Sequence, residues 1–278
     1  MQTKILPQGI LLSEIKDFDL KKTLDCGQCF RFYQNNDGSW HGVAGNRPLT
    51  LYQTNDGIMF KNITKEEFNA FWRIYFDLDR DYEAICRAFP DSVYMRKSAR
   101  FSSGMRVLRQ DAWETLISFI ISQNNNIPRI KGIIDRLCRN FGQQCGGDFG
   151  FPSPTVLAEL DEQDLGILRC GWRSAYILDA ARRVSAGEIN LKEIAKMPID
   201  DARKALQKIK GVGPKVAECV LLYGMGRYEA FPLDVWMKRA MSELFPGLEP
   251  KSFGEYAGIA QQYIFHFSRC NPDCFTKC

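Results

Sequence analysis

The chain has 278 residues, of which 45% are hydrophobic and 25% charged, and its net charge is +4. This composition is ordinary for a globular protein and excludes a disordered or fibrous class. The length fits one large domain or two modest ones. Residues 1–5 show no signal-peptide pattern, and no apolar run approaches the roughly 20 residues of a membrane span. We therefore expect a cytoplasmic protein, nuclear in a eukaryote, with no membrane partner.

The small net charge hides an uneven distribution along the chain. Residues 94–140 carry nine Lys or Arg and three Asp or Glu, whereas residues 1–93 carry 11 basic and 13 acidic side chains. Residues 141–278 carry 17 of each sign. The basic window indicates a surface that faces an anion, although an unevenly charged solvated surface is an equally simple explanation.

The first 70 residues predict β-strands. Short apolar or alternating runs are separated by Asn36-Asp37-Gly38 and Asn55-Asp56-Gly57, which are typical hairpin turns. Thr64 then predicts the start of a helix, because it precedes a run with acidic residues in the first turn.

Helical periodicity continues from there to the C-terminus. An apolar stripe at helical spacing consists of Trp113, Leu116, Ile117, Ile120 and Ile121. We predict an α+β fold with a small antiparallel sheet domain and linking helices over residues 1–93. A larger helical domain follows over residues 94–278.

Residues 202–225 predict a helix–hairpin–helix. Gly211 and Gly213 flank Val212 and permit a tight turn with exposed backbone amides. Pro214 suits the first turn of the second helix, where its missing N–H has no cost. Amides at a helix start bind phosphate, so Gly211, Val212 and Gly213 are predicted to hold a DNA backbone without reading its sequence.

Lys215 lies one residue inside the second helix of this motif. The positive end of the helix dipole disfavours an ammonium group there, and partial burial would act in the same direction. Both effects favour a neutral, nucleophilic amine. A lysine that only contacts phosphate is the alternative at this point.

Asp234 precedes another apolar-periodic run and is predicted to cap a helix. A carboxylate held at a helix start stays ionised, so near a sugar it can also stabilise an oxocarbenium cation, as carboxylates do in glycoside hydrolysis. Lys215 and Asp234 together would form a site that cleaves an N-glycosidic bond.

These motifs resemble those of the 8-oxoguanine DNA glycosylase/AP lyase family, in the helix–hairpin–helix/Gly-Pro-Asp superfamily. The matching stretches extend in order over nearly the whole chain. They are Leu24–Arg31, Ser118–Ile130 with its three asparagines, Gly171–Arg173, Gly211–Lys215, Pro232–Val235 and Tyr256–Phe265. The resemblance implies a sheet domain followed by two helical lobes with the active site in the cleft between them, and Lys215 as the nucleophile.

The resemblance also implies a pocket for a base flipped out of the duplex. Gly27 matches the residue whose backbone carbonyl accepts a hydrogen bond from N7–H of 8-oxoguanine, a donor that guanine lacks. Gln261 matches the side chain that reads the pairing edge, and Cys219 and Phe265 match the residues that sandwich the ring. Cys219 also lies one helical turn after Lys215, on the same face.

On the other strand, the resemblance implies that Asn124, Arg129 and Arg173 receive the cytosine left behind, although both arginines could instead contact phosphate. Trp172 matches the wedge that fills the vacated stack, a role that its large aromatic ring suits. Trp236 departs from the family, because eukaryotic relatives carry histidine there, and its role is open.

We expect a monomer that binds double-stranded DNA containing oxidised guanine and needs no cofactor and no metal. The spacing of Cys270, Cys274 and Cys278 does not fit a four-cysteine cluster or a zinc site, and Cys26-Gly27-Gln28-Cys29 is interpreted as incidental, since it does not follow a βαβ pattern. The cysteines are expected to be mostly thiols. Two alternatives are a related glycosylase for another damaged base and a non-catalytic DNA-binding module.

Overall fold

A computed structural model describes residues 1–15 and 17–275. Its N-terminal part is a six-stranded antiparallel sheet in the order β1-β2-β6-β5-β4-β3. The strands are β1 (Gln2–Leu6), β2 (Gly9–Ser13), β3 (Phe32–Gln34), β4 (Trp40–Ala44), β5 (Arg47–Thr54) and β6 (Gly57–Lys61). Both predicted hairpins are confirmed, since β3 pairs with β4 and β5 pairs with β6. Two further strands, β1 and β2, extend the sheet beyond those that the sequence pattern singled out.

The other regular elements of the described residues are helices, apart from a small hairpin of β7 (Gln144–Cys145) and β8 (Asp148–Phe149). The helices are α1 (Leu20–Leu24), α2 (Lys65–Glu67), α3 (Arg73–Tyr75), α4 (Tyr82–Ala88), α5 (Val93–Phe101), α6 (Ala112–Ser122), α7 (Ile127–Phe141), α8 (Pro154–Ala158), α9 (Arg173–Ser185), α10 (Leu191–Ile194), α11 (Ile199–Leu206), α12 (Pro214–Cys219), α13 (Val235–Leu244) and α14 (Ala257–Cys270). The fold class is confirmed as a sheet followed by a helical body.

Some helical segments depart from α-helical geometry. A π-helical stretch, Phe68–Trp72, joins α2 to α3, and another, Val220–Gly224, continues α12. The 3-10 turns are Asp164–Leu168, Pro250–Tyr256 and Pro272–Cys274. Thr64 caps α2 through a hydrogen bond from the Glu67 amide, as predicted. In the described residues, no helix is both long and apolar enough to cross a membrane.

Most of the buried hydrophobic residues form two separate cores. The smaller one lies between the sheet and the helical segment that contains Phe68, Trp72 and Phe76. The larger one fills the helical body and includes the whole apolar stripe of α6. Burial of such a stripe provides most of the stability of an amphipathic helix. Residues of α4 pack in the larger core, so the predicted boundary between residues 93 and 94 does not coincide with a division between cores.

Buried polar side chains connect the two parts. The Arg106 guanidinium donates to the carbonyls of Asp17 and Asp77 at 2.7 and 2.6 Å. Arg31 pairs with Glu114 of α6 at 3.4 Å, and burial raises the pKa of the Glu114 carboxyl. The pair of Arg31 with Glu114 holds the segment before β3 against the helical body, where the candidate site is found.

Candidate active site

The predicted helix–hairpin–helix is present as α11 and α12. Gly211 has φ of +81°, and a Cβ at this position would overlap the ring of Tyr176. Only glycine therefore fits the turn without moving α9. Pro214 is the first residue of α12, as predicted, and Gly213 precedes it in an extended conformation.

Two of the hairpin amides are bonded within the protein. The Val212 amide donates to the Ile209 carbonyl at 3.0 Å, and the Lys210 amide donates to the Asp179 carboxylate at 2.8 Å. Val212 is also buried. The prediction that Val212 offers its amide to phosphate is therefore wrong. Gly211 and Gly213 remain candidates for binding a phosphate, because no acceptor among the described residues bonds either amide.

Substitutions of the two glycines are expected to differ in their effect on the stability of the fold. Gly211→Ala is expected to lower the free energy of unfolding by about 2 kcal/mol or more, because it combines a positive φ with overlap of the half-buried Tyr176 ring. Gly213→Ala should leave the unfolding midpoint nearly unchanged, since its φ is −88° and a Cβ would meet nothing within 4 Å. Thermal unfolding without DNA checks both. Equal midpoints for the two variants would contradict the described turn.

One cleft gathers the predicted catalytic and base-pocket residues. It is lined by Gly27, Phe119, Lys215, Cys219, Tyr223, Pro232, Asp234, Gln261, Gln262 and Phe265. All six residues predicted for catalysis and for the base pocket are among them. They come from the loop after α1, from α12, from the start of α13 and from α14, so distant parts of the sequence meet here.

Lys215 projects from the first turn of α12 and is half-buried. Its Nζ lies 3.4 Å from the Ser122 hydroxyl and 4.9 Å from the centre of the Phe119 ring. Among the described residues, it forms no ion pair with the Asp234 carboxylate. The amine is thus held by one weak hydrogen bond and an aromatic face, which leaves it accessible to a molecule in the cleft.

Asp234 has two roles open to it. Its Oδ1 accepts a hydrogen bond from the Met237 amide at 2.8 Å and caps α13, as predicted. The same carboxylate borders the cleft that Lys215 enters. A capping bond uses one oxygen, so the carboxylate can cap α13 and also stabilise positive charge in the cleft.

The walls of the cleft suit a planar base. Burial raises the pKa of the Cys219 thiol to about 11, so this group stays a neutral thiol. Phe265 is half-buried at the same cleft. The buried Oε1 of Gln261 has no hydrogen-bond partner among the described residues. Because a buried acceptor without a partner is costly, this oxygen is suited to a ligand that carries an N–H donor.

Gly27 lies at the edge of the cleft with φ of +94°. A Cβ here would come 3.3 Å from the Ile127 side chain and 3.6 Å from the Arg269 guanidinium. Any larger residue would therefore be strained, and the backbone itself forms this part of the wall.

The residues predicted for the opposite base and the wedge form a second group, outside the cleft. Trp172 is 50% exposed, and its ring lies 4.3 Å from the guanidinium carbon of Arg173. Arg129 is exposed and donates to the Arg169 carbonyl at 3.3 Å, while Asn124 is exposed with φ of +46°. Exposure of Trp172 excludes core packing as its role.

Arg173 is only 3% exposed. Its guanidinium donates to the carbonyls of Gln123, Asn124 and Cys170, the latter two at 3.1 Å. These bonds fix the loop that carries Asn124. The bonds use four of the five N–H groups of the guanidinium, so at most one is left for an opposite base.

The basic window of residues 94–140 does not form one anion-facing patch. Arg106 is buried and binds backbone carbonyls, Arg136 donates to the Leu168 carbonyl, and Arg139 pairs with Asp135. The prediction of a single patch is wrong for Arg106, because its buried guanidinium is used within the protein, whereas Arg139 stays exposed beside Asp135. Arg129 keeps its exposure and remains a candidate for DNA contact.

Of the nine cysteines that the structure describes, Cys219 alone lines the cleft, and Trp236 does not line it. All nine described cysteines, including Cys26 and Cys29, are free. No group of three or more His, Cys, Asp or Glu that could hold a metal occurs among residues 1–15 and 17–275. The third cysteine of the C-terminal set, Cys278, lies outside the described residues. Trp236 lies against Phe275, with ring centres 6.1 Å apart.

Sequence reasoning gave no role to Phe119, Tyr223 or Gln262, which also line the cleft. Tyr223 follows Lys215 by two helical turns, so the spacing that located Cys219 could also have found it. Phe119 and Gln262 carry no such signal, because each resembles an ordinary buried position of its helix.

Comparison with known proteins finds similarity to DNA repair glycosylases. The N-terminal domain family of 8-oxoguanine DNA glycosylase matches residues 10–116, and the HhH-GPD superfamily of base excision DNA repair proteins matches residues 117–252. A probable N-glycosylase/DNA lyase of Methanothermobacter thermautotrophicus is 32% identical, over 92% of this chain and 95% of the relative. The N-glycosylase/DNA lyase OGG1 of Arabidopsis thaliana is 36% identical, over 90% of this chain and 77% of the relative.

A solved structure is similar over almost its whole length. The 8-oxoguanine glycosylase/lyase of Clostridium acetobutylicum, in complex with double-stranded DNA containing cytosine opposite 8-oxoguanine, superposes with a TM-score of 0.91. The identity is 35%, and the superposition covers 98% of this chain and 99% of that chain.

Proposed function

The chain belongs to the 8-oxoguanine DNA glycosylase family and is a DNA N-glycosylase with lyase activity, and we propose that it excises 8-oxoguanine opposite cytosine through a Schiff base on Lys215. One observation carries this proposal. The amine of Lys215 and the carboxylate of Asp234 share a cleft with Cys219, Phe265 and a buried oxygen that lacks a partner. The Clostridium relative, in complex with DNA that holds cytosine opposite the lesion, supports the choice of substrate.

In the first step, the amine of Lys215 forms a bond to C1′ of the deoxyribose while the bond from C1′ to N9 of the base breaks. The electron pair of that bond leaves with the base, and the departing base takes up the proton that the attacking amine loses. Positive charge develops on the sugar as the base departs, and the Asp234 carboxylate stabilises it.

The bond from C1′ to O4′ then breaks, O4′ takes up the remaining proton of the attached amine, and an imine forms between Lys215 and C1′. Loss of a proton from C2′ expels the 3′ phosphate by β-elimination, which nicks the strand. Water finally hydrolyses the imine and releases Lys215. Each step uses the lysine that the cleft holds, and none requires a cofactor.

Recognition of the lesion depends on one proton. N7 of 8-oxoguanine carries a hydrogen, whereas N7 of guanine offers only a lone pair. We assign the Gly27 carbonyl as the acceptor of this hydrogen. Gln261 accepts from the pairing edge through its unpartnered Oε1, and Cys219 and Phe265 enclose the ring.

The second group of residues acts on the DNA around the flipped base. The amides of Gly211 and Gly213 hold a phosphate, Trp172 fills the vacated stack, and Asn124 and Arg129 bond the estranged cytosine. Arg173 supports them by fixing the loop through the Asn124 carbonyl.

A single-turnover excision assay tests the substrate. Duplexes would carry 8-oxoguanine opposite each of the four bases, beside duplexes with alkylated purines. We expect the fastest excision opposite cytosine, about tenfold faster than opposite adenine, because the wrong base leaves polar groups of the site unpaired. Faster release of an alkylated purine would overturn the proposal in favour of the related-glycosylase alternative, and absence of any excision would favour a binding module.

A further inference from the structure

A chain of buried hydrogen bonds lies at the wall of the cleft. The reaction described above gives these bonds no role. The Tyr223 hydroxyl donates to Oε1 of Gln262, and Nε2 of Gln262 donates to Sγ of Cys26 at 3.2 Å. Gln262 is 1% exposed, and both ends of its side-chain amide form hydrogen bonds within the protein. The chain therefore connects α14 to the residue directly before Gly27.

Cys26 is suited to receive this bond. Its thiol donates to the Thr23 carbonyl at 3.5 Å while Sγ accepts from Gln262. Burial raises the pKa of the Cys26 thiol to about 11, so the group keeps its proton and can act as donor and acceptor together. A neutral thiol at this place is a structural contact rather than a reactive group.

The residue on the other side of Gly27 is also anchored. The side-chain amide of Gln28 donates to the carbonyls of Thr23 and Arg106 at 2.8 and 2.7 Å and accepts from the Leu108 amide at 2.9 Å. Gly27 itself has the freedom of glycine and φ of +94°. The direction of the Gly27 carbonyl is thus set by its two neighbours. Backbone groups hold Gln28, and Gln262 holds Cys26.

The far end of the chain reaches the nucleophile. The Tyr223 ring stacks on Phe119, with ring centres 5.4 Å apart and planes at 15°. Phe119 in turn lies beneath Nζ of Lys215 at 4.9 Å. Gly27, Tyr223, Gln262, Phe119 and Lys215 all border the same cleft.

We propose that Gln262, oriented by Tyr223, is a positioning residue that holds the Gly27 carbonyl at the place where it distinguishes 8-oxoguanine from guanine. This inference rests on the proposed function, because it deepens the role assigned to Gly27. A buried polar chain with no such role could be replaced by apolar side chains of similar shape with little effect on activity. The specific effect of Gln262 is on discrimination between 8-oxoguanine and guanine.

The test compares two variants with a matched control. Tyr223→Phe removes the hydroxyl, and Gln262→Met keeps side-chain length but removes both bonds. Tyr263→Phe is the control, because this buried tyrosine of α14 donates to the Met105 carbonyl at 3.1 Å and does not line the cleft. Each protein is measured for single-turnover excision of 8-oxoguanine and for its binding ratio between 8-oxoguanine and guanine duplexes, both opposite cytosine.

We expect Tyr223→Phe and Gln262→Met to lower the binding ratio by about fivefold, which is the effect of one buried hydrogen bond of ordinary strength. Tyr263→Phe should keep the ratio of the unaltered enzyme, even where all three variants lower the unfolding midpoint. A ratio that is unchanged in the first two variants, or lowered equally in the control, would overturn the inference. Lack of discrimination by the unaltered enzyme would instead refute the proposed function.

Discussion

Lys215→Gln is expected to abolish base excision and borohydride trapping while the protein still binds the lesion duplex. Glutamine retains most of the side-chain length beside Ser122 and Phe119 but has no nucleophilic amine. Loss of a covalent nucleophile should reduce the excision rate by at least about a thousandfold. Single-turnover excision, trapping with borohydride and a duplex-binding titration measure the three quantities.

The matched control is Lys192→Gln, which removes an exposed lysine of α10 that does not border the cleft. This variant should excise and trap at the rate of the unaltered enzyme. A covalent complex trapped with Lys215→Gln would show that another amine attacks the sugar. Full excision without trapping by that variant would favour activated water in place of the lysine.

Local signals in the sequence were sufficient for much of the site. The hairpin could be predicted from Gly211 and Pro214. Tolerance of a positive φ is a property of glycine, and the missing N–H is a property of proline. The Asp234 cap and the place of Cys219 follow from helix geometry over one turn. The resemblance to the family then added Gly27 and Gln261, which no local pattern would select.

Long-range contacts explain what the sequence could not predict. The carbonyl partners of Arg173 come from two loops, so its charge could not be known to be used within the protein. Arg106 counted toward a basic patch, although the sheet domain buries it. The contact of Gln262 with Cys26 joins residues 236 positions apart. Periodicity describes which face of a helix is buried, but it does not identify the partner on the other side.

Strands β1 and β2 show the same limit in the fold. Their pairing with each other and with β6 places residues near the N-terminus beside a strand some 50 positions later. The hairpins were predictable because an Asp-Gly turn joins strands that are adjacent in sequence. The order of the whole sheet depends on pairings between separated strands, for which one sequence has no signal.

The charge of Asp234 can be tested separately from its cap. Asparagine and aspartate cap helices about equally well, so Asp234→Asn should keep α13 intact and remove only the negative charge. We expect excision to slow by about a hundredfold, since a charge aimed at a developing cation is lost. Binding to the lesion duplex should change little, because the cation exists only as the base leaves. Single-turnover excision and a binding titration give the two values.

Asp111→Asn is the matched control for this experiment. Asp111 caps α6 through a 2.9 Å bond from the Glu114 amide, and it lies outside the cleft. Both substitutions preserve a cap and remove one negative charge, so they should have similar effects on the unfolding midpoint. Only Asp234→Asn should slow chemistry. Equal rates for the two variants would reduce Asp234 to a helix cap, and the stabilisation of the sugar cation would then have to come from another group of the cleft.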